Sequence, residues 1–187
     1  RWGLGFGDAD CYNKTGKTID VVERVAKKYR ENDMPGQWIL PNDGYGCGYT
    51  DLPGTITELK KLGFLGGLWT ENGLAKIATE VRDMGSRAMK LDVAWVGRGY
   101  QFALNGMRDA YEGLEKNADS RGFVWTTCAW AGGQRYSVIW SGDQSGNWEY
   151  IRFHIPTVIG AGLSGYNAST GDVDGIFGGS AQTQVRD

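Results

Sequence analysis

Short apolar runs alternate along this chain with segments in which apolar residues recur every three or four positions. The runs predict buried strands, and the three-to-four spacing predicts amphipathic helices. The predicted strands lie at residues 2–6, 37–40, 64–69, 88–97, 122–128, 137–140 and 163–166. The predicted helices include residues 18–33, 55–62, 74–84, 100–118 and 148–161. Such regular alternation predicts a parallel sheet covered by helices.

Two closures of the sheet fit this pattern, a doubly wound open sheet and a (β/α)8 barrel. Gly3, Gly5 and Gly7 have the wrong spacing for a dinucleotide fingerprint, and no phosphate-binding loop follows a strand. Barrel enzymes instead keep their active sites at the C-terminal ends of the strands. Acidic and aromatic residues follow the predicted strand ends at Asp10, Asp43, Trp69, Asp92, Asp143 and Asp172. We therefore predict a (β/α)8 TIM-type barrel, in the α/β class.

The length of the chain predicts that this barrel is incomplete. A full barrel needs eight strands and eight helices in about 250 residues, whereas the 187 residues here hold about seven strands and six complete helices. We expect residues 1–187 to form a catalytic barrel truncated within its seventh βα unit, with residues 180–187 beginning the seventh helix. The rest of the barrel and further domains are expected in the full-length protein.

The composition of the chain limits the kinds of partner that we expect. The chain is 41% hydrophobic, with a net charge of −2 and scattered lysines and arginines, so neither nucleic acid nor an anionic membrane is an expected partner. No stretch approaches the roughly 20 apolar residues of a membrane span. We expect no signal peptide within this segment, and extracellular and cytoplasmic locations both stay open. Cys11, Cys47 and Cys128 are too widely spaced for a metal site and are predicted to be buried small hydrophobes.

Asp92 and Asp143 are the residues that we predict to carry chemistry. If both end strands of one barrel, two carboxyl groups roughly 5 to 5.5 Å apart suit retaining glycoside hydrolysis. Lys90, on the same strand face as Asp92, is a candidate for keeping that carboxylate ionised. Trp140 and Trp148 are expected to desolvate Asp143, which would raise its pKa toward that of a general acid. The alternative is that these are two unrelated loop aspartates.

A resemblance to a known family supports the pair. The run from Trp140 to Glu149, Trp-Ser-Gly-Asp-Gln-Ser-Gly-Asn-Trp-Glu, is followed by Ile155-Pro156, by Gly162-Leu163-Ser164-Gly165 and by Gly-Asp-Val-Asp-Gly-Ile-Phe at residues 171–177. Together with Ala-Gly-Gly-Gln-Arg-Tyr at residues 131–136, it resembles the second half of the catalytic barrel of glycoside hydrolase family 31. The resemblance spans roughly residues 122–187, and the first half of the chain fits more loosely through Lys90-Leu91-Asp92.

The resemblance implies a retaining α-glycosidase or α-transglycosidase that needs no cofactor. Asp92 would be its nucleophile and Asp143 its general acid/base. The residues implied around the first sugar are Asp43, Trp69, Arg135, Trp140, Trp148 and Asp172. Carboxylates hydrogen-bond to sugar hydroxyls and aromatic faces stack on pyranose rings, so these residue types suit an oligosaccharide or polysaccharide substrate. Each tryptophan has core packing as its alternative.

Two departures from the common pattern of that family concern the substrate. Asp92 is followed by Val-Ala-Trp-Val rather than by a Met-Asn-Glu-like run, and Thr127 replaces an arginine. An arginine guanidinium can donate two parallel hydrogen bonds, so its loss changes which sugar hydroxyls the site can bind. The open substrates are therefore α-1,6-linked glucans, α-1,3-linked glucans and α-N-acetylgalactosaminides. Glucosyl transfer stays open as the reaction.

The remaining motifs point to no other chemistry. Asp8/Asp10 and Asp172/Asp174 have ligand-like spacing but lack a calcium loop, and no metal is predicted. His154, the only histidine, is predicted to be a hydrogen-bonded residue of a helix face. The alternative function from another class is a carbohydrate-binding barrel or a catalytically inactive fragment, because an unclosed barrel exposes strand edges.

Overall fold

The computed structural model describes residues 5–7, 17–41, 49–70, 74–92, 98–128 and 130–172. Strands and helices alternate through these residues. The strands are β1 (Gly5–Gly7), β2 (Trp38–Leu40), β3 (Leu65–Thr70), β4 (Ala88–Leu91), β5 (Phe123–Thr126), β6 (Val138–Trp140) and β7 (Ser169–Thr170). The chain divides into two units, one formed by Arg1–Lys90 with Asp109–Phe123 and the other by Leu91–Arg108 with Val124–Asp187.

Five helices lie between the strands in the described part of the chain. Helix α1 has a π-helical turn over Val22–Ala26 that continues as an α-helix over Lys27–Glu31. Helix α2 covers Leu52–Lys61, and α3 is a π-helical turn over Thr79–Asp83. Helix α4 covers Tyr100–Ala118 and α5 covers Trp148–Leu163. None of the described helices is long and apolar enough to cross a membrane.

Each unit contains strands paired in parallel and in chain order. In the first unit Phe6 pairs with Ile39, and Ile39 pairs in turn with Gly66. In the second unit Thr126 pairs with Ile139, and Ile139 pairs with Ser169. Parallel pairing with α- or π-helices in five of the six connections between the described strands confirms the predicted class of fold.

Helix α1 supplies the core of the first unit. Its apolar face packs on β2 and α2 as a cluster of six buried residues, Val21, Val22, Ala26, Ile39, Leu59 and Phe64. The Arg30 guanidinium lies 3.6 Å above the centre of the Phe64 ring and donates to the Leu62 carbonyl at 2.7 Å. The cation therefore covers the edge of this core while its donors stay hydrogen-bonded.

The ends of α2 follow standard capping chemistry. Asp51 is the N-cap, and its carboxylate accepts a hydrogen bond from the Gly54 amide at 3.3 Å. Gly63 follows the helix with φ +76°, so it takes the left-handed position predicted from the sequence. The helix nevertheless begins at Leu52 rather than at Thr55, because Pro53 is well tolerated in a first turn.

Most strand and helix predictions are confirmed, and α4 matches its predicted bounds. The prediction of a strand at residues 163–166 is wrong. Leu163 is the last residue of α5, and the seventh strand is Ser169–Thr170. The helix runs through Gly160 and Gly162, and Gly165, at φ +92°, ends it. The fourth strand is also shorter than predicted, since it ends at Leu91, and residues 93–97 lie outside the described part.

Several sequence predictions fall on residues that the structure does not describe. These are Asp8, Asp10, Cys11, Asp43, Cys47, Asp174 and the helix expected at residues 180–187. Cys128 is described and is buried, as predicted.

Candidate active site

Asp92, which belongs to the second unit, directly follows β4 in the chain. All four residues of the strand are buried, and the Asp92 side chain is itself buried, with 9% of the residue exposed. Lys90, the predicted partner on the strand, is also buried at 5% exposure. A carboxylate is costly to bury unless it is paired or hydrogen-bonded. The sequence therefore places an acid at a buried strand end, where an acid is seldom found without partners.

The charge of Asp92 acts on Cys128, which follows β5. Burial raises the pKa of the Cys128 thiol, hydrogen bonds with Thr126 and Thr127 lower it, and the charge of Asp92 raises it further. The Cys128 backbone amide donates to the Thr126 hydroxyl at 3.1 Å. The carboxylate of Asp92 is thus close enough to Cys128 to act on its titration.

Asp143 lies in a turn at the end of β6. Ser141 donates its backbone amide to the Thr170 carbonyl at 3.1 Å and its hydroxyl to Gln144 Oε1 at 2.7 Å. Between them Gly142 has φ +81°, and a Cβ on Gly142 would stand 3.4 Å from the Thr127 methyl group. The turn that carries Asp143 therefore lies beside Thr127, one residue before Cys128.

The exposure of Asp143 differs from the prediction. We expected Trp140 and Trp148 to desolvate this carboxylate, but Asp143 is exposed. Trp140 is buried at 4% exposure, whereas Trp148 is the first residue of α5 and is 55% exposed. The two rings flank Asp143 in sequence without burying it.

The end of β7 meets the same turn. A Cβ on Gly171 would stand 2.8 Å from Gln144 Nε2 and 2.9 Å from His154 Nε2. Asp172 is the next residue and is half-buried. Gln144 thus links the turn of Asp143 to the loop of Asp172, and its burial, at 5% exposure, was not anticipated from the sequence.

His154 lies on α5 with its ring stacked on Tyr150 at a centroid distance of 6.1 Å. Its Nδ1 atom is buried and makes no hydrogen bond among the described residues. The prediction of a helix-face histidine is confirmed, but the expected hydrogen bonding is absent at this atom.

The remaining predicted sugar contacts lie in different environments. Trp69 is buried in the first unit at 6% exposure, and its backbone amide donates to the Tyr49 hydroxyl at 2.6 Å. Arg135 is exposed at the end of a short 3-10 helix, Gly133–Arg135, with its guanidinium 5.5 Å from the centre of the Tyr136 ring. Asp43 lies outside the described residues. The described residues contain no group of three or more histidines, cysteines or acids that could hold a metal ion.

Comparison with known proteins relates part of the chain to a family. Residues 99–185 match the family described as the glycosyl hydrolases family 31 TIM-barrel domain. Residues 99–185 therefore carry a similarity to glycosyl hydrolase family 31. The match to a TIM-barrel domain, together with the parallel strands, confirms the predicted (β/α)8-type barrel, of which this chain supplies part.

Three similar proteins show how the chain compares with known proteins. It is 41% identical over 69 residues, or 36% of its length, to a protein named probable glucan 1,3-alpha-glucosidase from Oryza sativa subsp. japonica. It is 35% identical over 95 residues, or 48% of its length, to an alpha-xylosidase from Saccharolobus solfataricus. The chain spans 8% and 13% of the lengths of these two proteins.

The third relative is a solved structure. The cycloalternan-degrading enzyme from Trueperella pyogenes in complex with cycloalternan superposes with a TM-score of 0.72 at 15% identity. The match covers 95% of the chain and 37% of that enzyme. At 15% identity this likeness shows the fold alone. It covers more of the chain than the match at residues 99–185.

Proposed function

We propose that the protein is a retaining α-glycoside hydrolase acting on α-linked oligosaccharides or polysaccharides. The observation that carries the proposal is the pair of acids that follow two strands, Asp92 directly after β4 and Asp143 in the turn after β6. Asp92 is buried and Asp143 is exposed. One buried acid and one acid open to water suit the two roles that glycoside hydrolysis needs.

The first step would be attack by an Asp92 carboxylate oxygen on the anomeric carbon. The bond between that carbon and the leaving oxygen breaks, and Asp143 gives its proton to the departing oxygen. The product is a glycosyl ester on Asp92 and a released sugar hydroxyl. Because Asp92 is held at the end of a buried strand, its carboxylate enters this step with little freedom to lose.

The second step would return the enzyme to its starting state. Asp143, now a carboxylate, takes a proton from water, and the water oxygen attacks the anomeric carbon while Asp92 leaves. Two inversions give net retention. The exposure of Asp143 supports this role, because a residue that hands a proton to one group and takes it from water needs access to both.

Sugar recognition would involve the exposed and half-buried residues around the pair. Asp172 and Arg135 supply an acceptor and donors for sugar hydroxyls, and Trp148 supplies an exposed ring. Asp43, Trp69 and Trp140 stay predicted contacts. The relatives named as a probable glucan 1,3-alpha-glucosidase and an alpha-xylosidase make α-glucosides and α-xylosides the first substrates to test.

The test is to express the full-length protein and follow the hydrolysis of 4-nitrophenyl α-glucoside and α-xyloside. Proton NMR during the first minutes should show the α-anomer of the released sugar before mutarotation. A β-anomer formed first would contradict the retaining mechanism. Absence of hydrolysis with either aryl glycoside and with nigerose, isomaltose and maltose would contradict the hydrolase assignment.

The same reaction mixtures distinguish hydrolysis from transfer. If a second sugar reaches the glycosyl ester in place of water, longer oligosaccharides accumulate when the disaccharide concentration is raised. Chromatography of the products at low and high disaccharide concentration gives the ratio of transfer to hydrolysis. We expect free monosaccharide to dominate at low concentration.

A further inference from the structure

The segment between β5 and β6 presents an exposed tryptophan on a fixed backbone. Trp130 is 44% exposed. Its carbonyl accepts a hydrogen bond from the Tyr166 hydroxyl at 2.7 Å, and the next carbonyl, that of Ala131, accepts one from the Tyr100 hydroxyl at 2.9 Å. Two tyrosines from different elements therefore hold two consecutive peptide groups.

Tyr166 packs closely against this segment. Tyr166 is buried at 4% exposure, and a Cβ on Gly133 would stand 2.4 Å from its hydroxyl oxygen. Only a glycine at position 133 lets the hydroxyl come so close to the segment. Burial is the main cause that raises the pKa of Tyr166 to about 12, so its hydroxyl stays a hydrogen-bond donor at neutral pH.

The ring of Trp130 is supported along with its backbone. Tyr100 meets it edge to face, with centroids 5.8 Å apart and an angle of 89° between the planes. An exposed indole held in this way has already lost most of the conformational freedom that binding would cost. Aromatic surface of this kind stacks on the apolar faces of pyranose rings.

The segment of Trp130 also lies close to the proposed chemistry. Trp130 follows Thr127 by three residues, and a Cβ on Gly142, in the turn of Asp143, would stand 3.4 Å from the Thr127 methyl group. The segment that carries Trp130 therefore starts beside the turn of Asp143. We expect a sugar joined to the one that reacts there to lie within reach of the indole.

We propose that Trp130 is a sugar-stacking platform that binds a pyranose ring of the substrate beside the Asp92 site, with Tyr100 and Tyr166 as positioning residues. This inference rests on the proposed function, and it names a binding residue beyond those predicted from the sequence.

The test compares four variants of the full-length protein with nigerose, isomaltose and maltose as substrates. Trp130→Ala should raise KM for the preferred disaccharide roughly ten-fold with little change in kcat, because stacking holds bound substrate more than it stabilises charge. Trp130→Phe, which keeps an aromatic face, should restore KM to within about three-fold of the wild-type value. Tyr166→Phe should raise KM by an intermediate amount.

Phe153→Ala is the matched control, since Phe153 is an aromatic residue of α5 that is 63% exposed. It should leave KM unchanged. An unchanged KM in Trp130→Ala, or an equal rise in KM in Phe153→Ala, would overturn the inference. Thermal unfolding of each variant checks that folding is intact.

A binding measurement separates this inference from the proposed function. The affinity of the preferred disaccharide is measured by calorimetry for Asp92→Asn and for Asp92→Asn/Trp130→Ala, neither of which is expected to turn it over. Hydrolysis by the wild type with affinity independent of Trp130 would overturn the inference alone. Trp130-dependent affinity in a wild-type protein that hydrolyses nothing would overturn the hydrolase assignment and keep the platform.

Discussion

Gln144 and Gly171 lie so close together that the Gln144 amide nitrogen is 2.8 Å from where a Cβ on Gly171 would stand. Gln144 is buried and its Oε1 accepts the Ser141 hydroxyl, so its side chain is not free to move aside. This contact joins the turn of Asp143 to the loop of Asp172. The absence of a side chain at position 171 therefore determines how the ends of β6 and β7 fit together.

Gly171→Ala should lower both stability and activity. The added methyl group would displace Gln144 and His154, at a cost of about 1–3 kcal/mol, and would shift the turn of Asp143. Urea unfolding and kcat/KM for an aryl α-glycoside measure the two effects. Gly160→Ala is the matched control, because nothing lies within 4 Å of its added Cβ on α5. It should change stability by less than about 1 kcal/mol and leave kcat/KM unchanged, and equal effects of the two variants would contradict the packing argument.

Asp92→Asn should abolish turnover in a protein that still folds. The amide keeps the shape of the side chain but is a poor nucleophile, so kcat should fall by at least about 10⁴-fold. Activity is measured with 4-nitrophenyl α-glycosides, and folding by circular dichroism. Asp119→Asn is a suitable control, since Asp119 is exposed at φ +48°, a conformation that asparagine also adopts. Near-wild-type activity of Asp92→Asn would rule out its role as nucleophile.

Asp143→Ala should affect substrates according to their leaving groups. A disaccharide needs a proton on its departing oxygen, so its kcat/KM should fall by about 10²–10⁴-fold. An aryl glycoside with an acidic phenol needs little protonation and should show a much smaller loss in the first step. Glu112→Ala, an exposed change on α4, is the control. Equal losses on both kinds of substrate would argue against a general acid at position 143.

The sequence predicted those parts of the fold that depend on local patterns. Helix α4 has its predicted bounds because an apolar face repeats over five turns, and Gly63 ends α2 as its position suggested. The strand predicted at residues 163–166 is wrong because α5 continues through Gly160 and Gly162 and ends at Leu163. Glycine weakens a helix without forbidding one.

Of the candidate site, the sequence predicted only the two acids. Asp92 and Asp143 are charged residues at the ends of predicted strands, so their residue type and position indicated a role in catalysis. Gln144 and Tyr166 were missed because their roles depend on partners across the fold, such as the Trp130 carbonyl 36 residues from Tyr166. The exposure of Asp143 was missed because neighbours in sequence, Trp140 and Trp148, need not be neighbours of its carboxylate in space.

Ionisation of Tyr166 should lower the stability of the protein at alkaline pH. Because its folded-state pKa is raised to about 12, above the ordinary value near 10, the folded protein favours the neutral phenol. This stabilisation should be complete below about pH 10 and lost as the pH rises toward 12. The free energy of unfolding, measured with urea from pH 8 to 11.5, should exceed that of Tyr166→Phe by about 1 kcal/mol at pH 8. The difference should shrink above pH 10, and a constant difference would contradict the prediction.

Trp140 and Trp148 should respond in opposite ways to removal of their rings. Trp140 is 4% exposed, so Trp140→Ala should cost about 3–5 kcal/mol of stability. Trp148 is 55% exposed, so Trp148→Ala should change stability by less than about 0.5 kcal/mol. If Trp148 stacks on a sugar, the same variant should raise KM for a disaccharide roughly ten-fold while kcat stays near wild type. Thermal unfolding and steady-state kinetics on both variants, with Phe153→Ala as the exposed control, separate core packing from sugar binding. An unchanged KM in Trp148→Ala would contradict the prediction that Trp148 is a sugar contact, because loss of a stacked ring should weaken substrate binding.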